Sequence, residues 1–268
     1  MRSISQEVGY SERGTGKLLV PTAERMAAAF TNLDLDPSRM VTDGQATQLA
    51  TELIDYFEAR AHALITHAEP NLMNADEALD LFEEVRASYS PTCPMPMNKQ
   101  KGAKKAEAYL TCLMNMMIER STGGMPCDYD PGKLTTVTQA GAPLRTLARR
   151  VDGAFPASVN PVAIWEIKEY YYTTTFGSRV ADGVYETLLD GLEVEELREH
   201  ENIDVLHYLI VDAHYTWWGM GRSYLCRMFD MLHMGYVDEV LFGREVVSEI
   251  PRIAAEWMDR LKERPVTA

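Results

Sequence analysis

The chain has 268 residues, 46% of them hydrophobic and 25% charged, which suits a globular protein with a sizeable core and excludes a disordered or fibrous one. A formal net charge of −14 speaks against binding driven by bulk attraction to nucleic acid. No apolar run approaches the ~20 residues of a membrane span, and "MRSISQEVGYSERGTGK" lacks the apolar centre of a secretory signal, so a soluble cytoplasmic protein is expected.

In chain order, the first predicted elements are helices. "TAERMAAAFTNL" opens on a Thr cap candidate, and "DGQATQLATELIDYFEARAHALITHA" repeats apolar residues at three- and four-residue steps through Leu49, Leu53, Ile54, Phe57, Ala61 and Leu64. "NADEALDLFEEVRASY" has the same two signals. Pro91, Pro94 and Pro96 in "SPTCPMPMNKQKG" then forbid a continuing helix, which predicts a helical N-terminal subdomain over 1–95 and a second domain over 96–268. That second part begins with a helix across "AKKAEAYLTCLMNMMIERS", closed by Gly123 and Gly124.

From about residue 134 the pattern changes to strands: "LTTVTQ", "RTLARRVDGAF" and "NPVAIWEIKEYYY". A helix over "SRVADGVYETLLDGLEVEELREH" and an apolar strand in "DVLHYLIVDA" follow. The chain ends with a helix over "GRSYLCRMFDMLHMG", a short strand "VDEVLFG" and a helix "VVSEIPRIAAEWMDRLKER". Helices alternating with apolar strands predict an α/β fold whose mixed central sheet is covered on both faces.

The four cysteines, Cys93, Cys112, Cys127 and Cys226, have no zinc or redox spacing and are expected to be reduced. Two phosphate-binding signatures are incomplete. "ERGTGKL" lacks the first glycine and the hydroxyl residue of a P-loop, and "GMGRS" is a fragment of a dinucleotide fingerprint.

The chemistry lies in "VDGAFPASVNPVAIWEIKEYY". Side chains two apart on a strand share a face, so Glu166 and Lys168 project together while Trp165, Ile167 and Glu169 point the other way. The turn formers in "GAFPASVNP" let the chain reverse and bring Asp152 beside Glu166. Two adjacent carboxylates are hard-oxygen ligands suited to Mg²⁺, with Mn²⁺ as a substitute. A lysine beside them can orient a metal-bound water, ease its deprotonation, or steady charge developing on a phosphate. A simple sheet-edge ion pair with Asp152 in a loop is the plainer account.

These residues resemble the PD-(D/E)XK nuclease superfamily, to which most type II restriction endonucleases belong: an Asp ending one strand, a turn, then E-x-K on the next. Val151 stands where the usual proline would be. The resemblance implies a restriction-endonuclease-like core, with Asp152 and Glu166 as metal ligands and Lys168 as the catalytic lysine. It also implies a carboxylate on the first helix, for which Glu107 in "KQKGAKKAEAYL" is preferred and Glu119 is the competitor. The implied function is Mg²⁺-dependent hydrolysis of double-stranded DNA by a homodimer, alongside a cognate DNA methyltransferase. A catalytically silent binding module, or a repair or defence nuclease on non-standard DNA, is the alternative.

A basic stretch tempers the net charge, since nine basic and four acidic side chains lie between Met95 and Arg150. Candidate DNA contacts are Lys104, Lys105, Arg149, Arg150, Thr174, Thr175, Ser178 and Arg179. Helix capping explains the hydroxyl residues equally well, and Arg149 and Arg150 either hold phosphate or balance the carboxylates. In "DAHYTWWGMGRS" the aromatic residues suit packing better than a groove, and Asp212 suits a structural role.

Overall fold

A computed structural model describes residues 1–12, 14–98, 106–172 and 177–264, with the side chains of 178 and 179 also outside the description. The N-terminal part holds α1 (Arg2–Val8), α2 (Ala23–Asn32), a hairpin of β1 (Val41–Thr42) and β2 (Gln45–Ala46), and α3 (Gln48–Ala63). Thr22 and Thr47 cap α2 and α3, each accepting a backbone N–H. The predicted helix over 43–68 therefore starts late, because Gly44 at φ 75 closes the hairpin first. After α3 the chain runs through a π-turn, Leu64–Ala68, into the short α4 (Glu69–Asn71).

Asn74 and Glu77 form a full capping box at the start of α5 (Ala75–Ser88). Next comes α6 (Tyr109–Thr122), ended by Gly123 in the left-handed region. It starts later than predicted because 106–108 pairs with the proline-rich segment, Asn98 N–H donating to Ala106 and Ala108 N–H to Pro96. A hairpin of β3 (Thr136–Gln139) and β4 (Ala142–Thr146) stands apart from the main sheet. That sheet contains β5 (Gly153–Phe155), β6 (Ala163–Glu169), β7 (Leu206–Asp212) and β8 (Glu239–Phe242) in this order. The β5–β6 pair is antiparallel and the other two pairs are parallel, with α7 (Ser178–Glu201) and α8 (Arg222–His233) as crossovers and α9 (Glu245–Glu263) closing the chain. The fold is thus mixed α/β with a mixed sheet, as expected.

One sheet face carries Trp165, Tyr208 and Ile210 into a core with α5, α6 and α9, where Trp165 stacks on Trp257 at 5.5 Å and 7°. The other face packs Leu209 and Val211 against Val180 and Val184 of α7 and Leu225 of α8. Ala78, Phe82 and Val85 of α5 belong to the first core, so α5, assigned by sequence to the N-terminal subdomain, packs with the sheet layer. Residues before it keep a small core of their own around Met26, Met40 and Phe57. Among the described residues no helix is long and apolar enough to cross a membrane.

Candidate active site

The expected alternation holds on β6. Glu166 and Lys168 face α7 while Trp165 faces α9. Asp152 directly precedes β5, and Gly153 opposes Trp165 in the antiparallel register, so Asp152 sits across from Glu166. Its backbone N–H donates to the Trp165 carbonyl at 3.1 Å, and its Oδ2 accepts from the Ile167 N–H at 2.8 Å. This clamp, two backbone-directed bonds on either side of Glu166, fixes the aspartate against the E-x-K strand. Gly153 permits it, since a Cβ there would fall inside the Trp165 indole.

Glu166 is fully buried and its two oxygens are shared. Arg149 forks onto both, at 2.6 and 3.2 Å, and Lys168 Nζ donates to Oε2 at 3.0 Å. Two residues on α7 complete the cluster. Glu186 accepts from Lys168 at 3.0 Å, and buried Asp190 accepts from Arg149 at 2.5 Å. Gly183 lies under the lysine, so that a Cβ would come within 3.1 Å of its Cδ. Sequence reasoning missed Glu186 and Asp190, although Gly183, Glu186 and Asp190 share one face of the predicted helix at three- and four-residue steps.

Four carboxylates therefore meet two cations, and burial together with these charges sets the acidities. Burial, then the Glu166 charge, pushes Asp152 up to about 6. Burial likewise raises Asp190, to about 7, against the pull of Arg149. Burial would also raise Glu166, but the Lys168 ammonium and Arg149 guanidinium overcome it and hold this carboxyl below its usual value. Lys168 is desolvated too, yet Glu166 and Asp152 keep its pKa above that of a free lysine, so it stays an ammonium at neutral pH.

Those facts bear on a metal. Among the described residues no group of three or more His, Cys, Asp or Glu side chains is placed to hold one. Asp152 and Glu166 are the pair that would hold Mg²⁺, which takes one or two carboxylates and keeps several waters, and an ion there would have to share the Glu166 oxygens with Arg149 and Lys168. A divalent charge would also offset the local excess of two carboxylates. A cavity of about 270 Å³, lined by Asp152, Ile167, Glu169, Tyr129 and Asp130 among others, opens beside the aspartate.

The helix carboxylates stand elsewhere. Glu107 precedes α6 instead of riding on it, for the pairing reason given above, and its side chain meets Arg86 at 3.6 Å. Glu119 is occupied in holding the loop before α6, accepting from the Thr92 N–H at 3.0 Å and from the Tyr89 and Thr92 hydroxyls. Burial would raise it, but these bonds take it down to about 2. The carboxylate near the start of α6 is Glu169, which accepts from the Thr111 N–H at 3.2 Å and is pushed up to about 8 by burial.

Of the candidate DNA contacts, Arg149 balances the carboxylates and Arg150 is exposed. Lys104, Lys105, Thr174 and Thr175 lie outside the described residues, as do the side chains of Ser178 and Arg179. Trp217 and Trp218 are buried, as the packing account expects, whereas Tyr215 departs from it and is exposed. Asp212 is structural, accepting from the backbone N–H groups of Met73 and Ala213 and from the Tyr171 hydroxyl.

Fold and site together define a mixed α/β domain with a buried carboxylate–lysine cluster where an antiparallel strand pair meets a crossover helix. The chain belongs to the DUF7687 family, a domain of unknown function whose family model matches residues 73–257. Residues 1–67 match a second domain of unknown function, DUF7690. Residues 68–72, which include α4, fall between the two matches. No curated protein and no solved structure matches the chain.

Proposed function

We propose that this protein is a divalent-metal-dependent nuclease that hydrolyses phosphodiester bonds of double-stranded DNA. The observation that carries the reading is the clamp of Asp152 onto the Ile167 amide, which sets its carboxylate against Glu166 and Lys168. Asp152 and Glu166 would hold Mg²⁺ or Mn²⁺. Bound there, the metal would supply Lewis-acid polarisation of the phosphate and a more acidic water.

Lys168 is protonated in this setting, which favours steadying the charge that grows on the phosphate over acting as a base. Glu186 and Gly183 keep the ammonium in place, the first by an ion pair and the second by leaving room for its stem. Arg149 holds the Glu166 carboxylate, and Asp190 holds Arg149. The finer reading is site-specific type II restriction by a homodimer, since cutting both strands of a symmetric site calls for two active sites. A cognate methyltransferase would protect the host DNA.

The test is incubation with plasmid DNA of known sequence in Mg²⁺ or Mn²⁺, beside Lys168→Ala and Asp152→Ala. Discrete bands that vanish in both variants are expected, and a smear would keep the chemistry while removing site specificity. Cleavage that survives both changes overturns the mechanism. One observation favours a second reading, a binding module that does not cut: both Glu166 oxygens are already bonded to Arg149 and Lys168. Mn²⁺ titration separates the two, because a silent module takes up no ion at Asp152 and Glu166.

A further inference from the structure

Glu166 is crowded for a residue that would bind metal. A carboxylate has about four lone-pair sites, and three are taken here. Arg149 Nη1 donates to Oε1 at 2.6 Å, while Arg149 Nη2 and Lys168 Nζ both donate to Oε2, at 3.2 and 3.0 Å. A divalent ion on Oε1 would stand beside a guanidinium nitrogen already bonded to that oxygen, and two cations on one oxygen repel each other. An ion bridging Asp152 and Glu166 therefore has to open the arginine fork or part the lysine from Oε2.

Exposure and anchoring decide which cation gives way. Lys168 rides on β6 itself, two residues from Glu166, and its side chain is 9% exposed. Arg149 reaches in from the segment between β4 and β5, and its side chain is 22% exposed. It also has other acceptors for its charge. Nη1 donates to buried Asp190 at 2.5 Å, and Nη2 lies 3.4 Å from Glu186, which is half-exposed at the edge of the cluster. The guanidinium can swing off Glu166 while these two carboxylates of α7 keep it in place. Charge balance favours that outcome over expulsion, because a divalent ion offsets the excess of two carboxylates only if Arg149 stays in the cluster.

We propose that Arg149 is a displaceable counter-ion, which holds Glu166 while no metal is present and yields that carboxylate to a divalent ion by turning towards Asp190 and Glu186. The proposal rests on the nuclease reading for the identity of the metal ligands. It gives the crowding of Glu166 a different meaning from the silent module, in which the same fork is permanent.

Calorimetric Mn²⁺ titration of the full chain at pH 8 tests it. Arg149→Lys keeps a cation against Glu166, Glu186 and Asp190 but has no fork, so it should bind Mn²⁺ about threefold more tightly than the parent or better. Arg149→Gln removes the competing cation and should tighten binding by about tenfold or more. Arg150→Gln deletes an exposed charge one residue away and should stay within about twofold of the parent. Asp152→Asn should abolish uptake in each case. Uptake seen only in the two Arg149 variants would also support the proposal, with the fork holding the parent site shut. Binding that Asp152→Asn abolishes but neither Arg149 variant tightens overturns the displacement and leaves the metal site standing. If Arg150→Gln tightens binding as much as Arg149→Gln does, general electrostatics is the cause and the proposal fails. No uptake by the parent or by either Arg149 variant at millimolar Mn²⁺ overturns this proposal and the nuclease reading together.

Discussion

Asp152 and Glu166 are neighbouring carboxylates with opposite energetic roles, and their substitution should separate them. Asp152 has a folded pKa of about 6, above its unfolded value, so the folded chain binds this proton more tightly than the unfolded one. Stability from this group is therefore present below pH ~4 and is lost as pH rises towards 6. At pH 7.5 the ionised Asp152 is a net cost, so Asp152→Asn should stabilise the protein by about 1–2 kcal/mol, read as a higher melting temperature. The same change should lower DNA hydrolysis by roughly 100-fold or more, since it removes a metal ligand. Glu166 is the reverse case. Its loss in Glu166→Gln leaves Arg149 and Lys168 short of a buried counter-charge, which should destabilise by about 3 kcal/mol. Without metal, Asp152 takes up its proton as pH falls through about 6, so Mn²⁺ uptake measured by titration should weaken below that pH. Uptake of equal strength at pH 8 and pH 5 would show that this carboxylate is not a ligand.

Two glycines show how the backbone was shaped around the site. Gly153 lies in β5 against the Trp165 ring, and Gly183 lies in the middle of α7 under the Lys168 stem. Gly153→Ala drives a methyl into the indole that stacks on Trp257, so a loss of more than about 3 kcal/mol or a failure to fold is expected. Gly183→Ala should behave differently. Alanine is favoured over glycine in a helix by ~1 kcal/mol, so stability should hold or rise, while the 3.1 Å approach to Lys168 displaces the ammonium and lowers cleavage about tenfold. A variant that folds better and cuts worse would assign that glycine to positioning. The strands β6, β7 and β8 and the placing of Asp152 beside Glu166 and Lys168 were legible in the sequence because apolar runs, period-two alternation and a turn-rich connector leave few registers. The one strand expected over 145–155 is instead split between β4 and β5 of two separate sheets. The start of α6 was not legible, because "AEA" has high helix propensity and only pairing with the distant Pro96–Asn98 segment makes it extended. Glu186 and Asp190 escaped for another reason. A long helix with many carboxylates does not reveal from its own sequence which face meets Arg149.

The N-terminal helices match a separate family model, yet they are not an independent appendage. Leu18, Leu64 and Ala68 share a core with Trp217, Leu225 and Val211 of the sheet layer, and Arg222 donates to the Gly16 carbonyl at 2.6 Å. The strongest tie is electrostatic. Arg60, itself 2% exposed, reaches from α3 to Asp230 on α8 at 3.0 Å, and its guanidinium lies over the Phe57 ring at 4.8 Å. A chain beginning at residue 69 would lose the Arg60 and Tyr56 partners of Asp230 and expose the Trp217 and Leu225 side of the core. We therefore expect such a chain to be insoluble or to lack a cooperative melt, despite carrying the whole DUF7687 match. The electrostatic share can be measured in the intact protein. Arg60→Met should destabilise by about 3–5 kcal/mol, because one buried charge is left without its partner. Adding Asp230→Leu should restore most of that loss, since two apolar side chains of similar volume often replace a buried pair without penalty. If the double variant is as unstable as the single one, the tie between the layers rests on packing and on the Tyr56 hydroxyl bond, not on the ion pair.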